Sequence, residues 1–172
     1  TAEYSTCAKG PAVTNPSETR GHERRLADFI RQNHAAIVKE WIDFARTISP
    51  ASDKMTKLAL QDHVVDILGF IADDLESAQT PRERFDKSRG VGPPENPFSE
   101  SAAEVHAALR LADGFDIDQM VSEYRALRAS VVKQWVAHHQ GLAATDVEDL
   151  TRFNEAIDQA VTESVAHYTK TI

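Results

Sequence analysis

The sequence predicts an all-α protein, a single helical domain of about five to six helices. Three observations point there. Apolar residues recur at steps of three and four through several long stretches. Helix-start signals recur at Thr80, Ser101 and Asp116, each followed three residues later by Glu or Gln. No alternating apolar–polar run competes for strand assignment.

Residues 1 to about 20 carry Gly10, Pro11, Pro16 and scattered Ser and Thr, and read as a disordered leader. Residues 21–172 form the helical domain. Its first helix is expected from about Glu23 to Thr47, with Leu26, Ile30, Asn33, Ile37, Trp41, Phe44 and Ile48 on one stripe and Pro50 as the stop. Ser52 is placed to cap the next helix, which buries Leu60, Val64, Ile67, Leu68, Ile71 and Leu75. Gly69 interrupts that stripe, and a close backbone approach would explain it. Thr80-Pro81-Arg82-Glu83 opens a short helix, with proline at the first helical position. The charge-rich stretch from Arg82 to Arg89 reads as a solvated face. The region from Gly90 to Pro97 has two glycines and three prolines and must be loop.

A fourth helix starts at Ser101 with Glu104 closing a capping box, and ends at Gly114. Asp116 and Gln119 box the central helix, flanked by a Phe115–Met120 staple. Its stripe runs through Ile117, Val121, Tyr124, Leu127, Val131 and Trp135 to Gly141. Thr145 and Glu148 should cap the last helix, whose apolar positions are Leu150, Phe153, Ile157, Val161, Val165, Tyr168 and Ile172. Steps of four outnumber steps of three, which favours straight packing or a slight right-handed coil. No glycine or proline follows Ile172, so the pattern reads as a helix that continues.

With 19 Lys and Arg against 27 Asp and Glu, the chain carries a formal net charge of −8. That acidity argues against nucleic acid and against anionic membrane surfaces. The single cysteine, Cys7, rules out an internal disulfide framework. No apolar run approaches the ~20 residues of a membrane span, so no membrane insertion and a cytoplasmic location are expected.

Arg128 is the residue most out of place, four after Tyr124 and three before Val131 on the stripe facing the core. A buried guanidinium needs a partner. A structural ion pair with Glu155 or Asp158, an anion or effector pocket with Tyr124 and Arg125, and a dimer-interface position are all open. His63 and His106 fall on or beside apolar helical faces, where a histidine is more often a core residue than a ligand. His138-His139 suits the end of a helix. Glu163 and His167 are four apart, but no paired metal motif accompanies them, so no metal and no cofactor are expected. Gly-rich phosphate loops, a nucleophile elbow and a Cys-His pair are lacking, so no catalysis is expected in this chain.

Four blocks carry a family resemblance: Leu26-Ala-Asp-Phe-Ile through Glu40-Trp-Ile-Asp-Phe-Ala-Arg-Thr47; Leu58-Ala-Leu-Gln-Asp-His63 through Ile71-Ala-Asp-Asp-Leu75; Gly114 to Trp135; and Phe153 to Val165. Together they resemble the RsbR-type (RsbRD) N-terminal sensory domain that fronts bacterial stressosome co-antagonists and sensor histidine kinases. The last two blocks look like the versions that precede a kinase dimerisation region. The resemblance implies a globin-like bundle that forms homodimers, with a long C-terminal signalling helix running into a covalently linked kinase module. It covers Tyr124, Arg125, Arg128, His63 and His106 as candidate regulatory positions for an unidentified small effector. Two alternatives stay open: a globin-like haem or small-ligand sensor using His106 or His63, and a stand-alone stressosome-type interaction protein.

Overall fold

A computed structural model of the chain describes residues 25–61, 63–92, 101–139 and 141–171. The leader, Cys7, residues 93–97 of the expected loop and Ile172 lie outside them. All regular structure among the described residues is helical. In chain order the helices are α1 (Leu26–Ala45), α2 (Lys57–Gln61), α3 (Val64–Glu76), α4 (Pro81–Ser88), α5 (Ala102–Ala112), α6 (Ile117–Ala137) and α7 (Ala144–Thr171). Six have eight residues or more; α2 is a five-residue segment.

The capping boxes form as their sequences dictate. Thr80, Ser101 and Asp116 each accept a hydrogen bond from the backbone N–H three residues on, and Glu83, Glu104 and Gln119 reach back. Gly114, at φ +87°, ends α5 in the left-handed conformation that glycine adopts most readily. Phe115 and Met120 are both buried beside it.

Four expectations about starts, stops and approaches need correction. α1 ends at Ala45, not Thr47, and closes with turn bonds from Thr47 to Phe44 and Ile48 to Ala45. Ser52 caps no helix: its hydroxyl donates to Arg46 O, and Thr56 instead accepts from Ala59 N at the start of α2. The last helix begins at Ala144, so Thr145 lies inside it; Asp146 reaches back to accept from Ala143 N at 2.7 Å. Gly69 is exposed, and a Cβ built on it meets nothing within 4 Å. It marks no close approach among the described residues.

The expected single helix from Ser52 to Leu75 is in fact two, α2 and α3. Trp41 Nε1 donates to Leu60 O at 3.1 Å, while Arg110 donates to Ala59 O at 3.0 Å and Leu60 O at 2.7 Å. Those carbonyls are the acceptors that residues four further on would use in a continuous helix. Side chains from α1 and α5 take them, and α3 restarts with Ile67 N on His63 O.

The core lies between α1, α3, α5, α6 and α7, built on Leu26, Ile30, Ile37, Trp41, Ile67, Ile71, Tyr124, Leu127, Val131, Trp135, Phe153 and Ile157. Glu40 of α1 accepts from Ser130 of α6 and pairs with Lys133 at 3.2 Å. The Ser130 hydrogen bond, with Lys133 nearby, holds the Glu40 carboxyl below the ordinary range.

Because Gly69 is exposed in mid-helix with room for a methyl group, Gly69→Ala should stabilise the fold by about 0.5–1 kcal/mol. Thermal unfolding should show the melting temperature rising by roughly 1–4 °C. A fall would mean that the Gly69 surface is covered by something outside this chain.

Candidate functional site

Two neighbouring helices put opposite charges into the core. On α5 the buried residues are Ala103, His106, Ala107 and Arg110, spaced at three and four along one face. On α6, Met120, Glu123, Tyr124, Leu127 and Val131 do the same. The short Gly114 turn folds the two faces together. Arg110, Glu123 and His106 all have side chains with 0% exposure.

Arg110 makes full use of its planar donors. Nε lies 2.9 and 3.0 Å from the two Glu123 oxygens, and Nη2 lies 2.9 Å from Oε1. Nη1 and Nη2 reach the two α2 carbonyls. The Phe115 ring sits 5.0 Å from the guanidinium carbon. His106 places Nε2 3.1 Å from Glu123 Oε2, with its ring centroid 5.3 Å from Trp41 and 5.7 Å from Tyr124. One carboxylate therefore serves an arginine and a histidine, and the arginine in turn holds the C-terminal end of α2. Cations suit that end of a helix.

A second polar thread joins this node to α7. Ser164 donates to Ala103 O at 2.6 Å, so Tyr124 must donate its hydroxyl hydrogen to Ser164 Oγ at 3.0 Å. Tyr168 donates to Phe115 O at 3.3 Å. Burial, together with the nearby Glu123 charge, pushes the Tyr168 phenol far above its ordinary range.

The candidates from sequence separate widely. Tyr124 and His106 meet in the node. His63 does not: it sits ahead of α3, about a third exposed, paired with Asp66 at 2.9 Å. Arg125 is exposed. Arg128 does not face the core as expected; its side chain is 41% exposed and pairs with Asp158 of α7 at 3.3 Å. That ion pair is one of the partners foreseen for it. Tyr124, Arg125 and Arg128 thus form no common pocket. A haem iron on His106 Nε2 would have to displace the Glu123 carboxylate, which Arg110 also holds.

Arg110 and Glu123 were missed. Their signal was present: each lies in register with apolar or small neighbours at three and four, on helices joined by a glycine turn. Arg128 is flanked by Tyr124 and Val131 at helical spacing, but the core stripe of α6 passes through Leu127. Beside the node, a groove of about 760 Å³ is lined by Met55, Thr56, Ala59, Asp113, Gly114 and Gln119. Ala59 links it to Arg110 through the carbonyl bond.

α7 collects bonds from around the domain. Asp149 accepts from Leu26 N at 3.0 Å and from Arg25 at 2.7 and 2.9 Å, which caps α1 from the far end of the chain. Arg152 donates to the carbonyls of Asp74, Leu75 and Ser77 at the end of α3. Arg84 of α4 approaches Glu155 at 3.3 Å.

The model of the RsbT co-antagonist protein rsbRD N-terminal domain matches residues 35–171, most of the chain, and the chain belongs to that family. It is thus a regulatory domain of the sensory, stressosome-related type. Comparison with curated proteins and with solved structures gave no match. No described helix is long and apolar enough to cross a membrane.

Removing Glu123 would strand a buried guanidinium. Glu123→Ala is expected to cost about 3–5 kcal/mol, read from urea unfolding. Arg110→Met combined with Glu123→Leu should cost less than Glu123→Ala alone, because no unpaired charge remains. Tyr168 gives a pH-dependent test. Its native pKa is raised, so its contribution is intact below pH ~10 and is lost as pH climbs and the unfolded phenol ionises. Melts between about pH 9 and 11 should show Tyr168→Phe losing less stability than the unaltered chain.

Proposed function

We propose that this domain transmits a signal through α7 to a covalently linked histidine kinase module, acting as a homodimer through its long helices. The observation that carries this reading is the bonding of α7. Asp149 ties it to α1, Arg152 to α3, Arg84 to α4, Ser164 to α5 and Tyr168 to the α5–α6 turn. A change at any one of these contacts acts on the same 28-residue rod. An effector can bias such a system only by binding one arrangement better than another. The groove over Ala59 is a suitable entry point, since movement there pulls on Arg110 and, through Glu123, on α6. For self-association, α6 leaves Arg125, Ala129 and Val136 exposed on its outer side.

The family description supports a second reading, in which the same helix leads to a co-antagonist output segment and the domain serves in RsbT regulation.

Helical phase provides the test. The domain is fused after Thr171 to a histidine kinase catalytic module in helical continuity, with insertions of one to seven residues. Each residue rotates the junction by about 100°. Autophosphorylation should vary with insertion length and return near its starting level at seven. A flat response would rule out transmission by the helix. Sedimentation of the domain should show a dimer that Val136→Glu weakens at least roughly tenfold, the scale of a ~1.4 kcal/mol interface change; a monomer at micromolar concentration would remove the dimer.

A further inference from the structure

α4 presents the expected solvated face with Arg82, Glu83, Ser88 and Arg89 exposed, but its other side is engaged. The helix has no buried residue, yet it lies against α7. Its inner side is polar throughout. Arg84 meets Glu155 at 3.3 Å and Glu148 at 3.7 Å, and Lys87 pairs with Asp74 at the end of α3. Just beyond the helix, Gly92 N donates to Gln159 Oε1 at 3.0 Å. The one large apolar side chain of α4, Phe85, is 58% exposed and carries the Arg89 guanidinium over its ring at 5.2 Å.

The seam closes at Gly90. Its φ is +67°, and a Cβ there would fall 2.0 Å from Thr162 Oγ1. Only glycine lets the backbone approach α7 so closely. A seam made of charges and amides differs from an apolar one in what happens when it opens. Water solvates the freed ions and polar groups and recovers much of what the contacts contributed. An apolar seam has no such compensation. Segments with few buried apolar contacts are the ones that open locally while the rest stays folded.

We propose that Pro81–Gly92 is an electrostatic latch on the terminal helix. It undocks as a unit, below the free energy of global unfolding, and uncovers the stripe Glu155, Gln159 and Thr162 on α7. Its regulatory meaning rests on the reading of α7 as the output helix; its physical existence does not.

Native-state hydrogen exchange on the whole chain tests it. Amides of residues 82–92 should exchange at least roughly tenfold faster than those in the middle of α6. Raising the salt from about 0.01 M to about 1 M shortens the Debye length from about 30 Å to about 3 Å, and should accelerate 82–92 while leaving α6 unchanged. Gly90→Ala, which wedges the seam open, and Arg84→Gln, which removes a charge without touching the backbone, should both speed exchange in 82–92 selectively. Exchange of 82–92 only at the global rate, or without response to salt and to Arg84→Gln, would overturn the latch. If exchange behaves as described while the helical-phase fusions stay flat, the latch stands and the output reading falls.

Discussion

Arg110 carries a permanent charge into a region that water does not reach, and much of the architecture follows from how that charge is met. Glu123 supplies the counter-charge with both oxygens, and the carbonyls of Ala59 and Leu60 take the remaining donors. Because those carbonyls are occupied from the side, α2 and α3 do not run as one helix. Because Glu123 also faces His106, the placement of α5 relative to α6 is set by three polar groups. A buried ion pair of this kind adds little net stability over an apolar core, since desolvating both ions costs several kcal/mol. Its effect is specificity: a slip of α5 along α6 would leave a charge unpaired, a penalty that a slipped leucine does not incur.

Helix existence was readable because its causes are local. Thr80 with Glu83, Ser101 with Glu104, and Asp116 with Gln119 each satisfy backbone donors within four residues, so the three starts appear where their sequences place them. What failed was decided partly at a distance and partly by a choice between neighbouring caps. The break between α2 and α3 comes from Arg110, some fifty positions later in the chain. Ser52 and Thr145 have the chemistry of caps, but Thr56 and Asp146 hold those places. Arg128 and Arg110 illustrate the limit best. Both sit near apolar neighbours at helical spacing, yet Arg110 of α5 is fully buried, while on α6 Leu127 takes the inward place and Arg128, one position on, turns outward. Gly69, expected to permit a close approach, lies open on the surface.

Family membership and geometry support the same broad statement, a regulatory domain, from different sides. The match extends to residue 171 and so includes the whole of α7, the helix that bonds to the rest of the body. Its contacts are of two kinds. Phe153, Ile157, Ser164 and Tyr168 enter the interior, while Arg84, Gly90 and Gly92 touch it through a polar seam. A rod held firmly on one flank and lightly on another has a direction in which it moves most easily.

The cap that Asp149 places on α1 has a temporal side. The first helix exposes its N–H groups at Leu26, and the carboxylate that satisfies Leu26 N lies 123 positions further along. A ribosome adding roughly 5–20 residues per second needs on the order of ten seconds to deliver it. Throughout that interval α1 has neither its cap nor the Phe153 and Ile157 surface it packs near. The nascent chain must therefore wait for its last helix before its first one is secure.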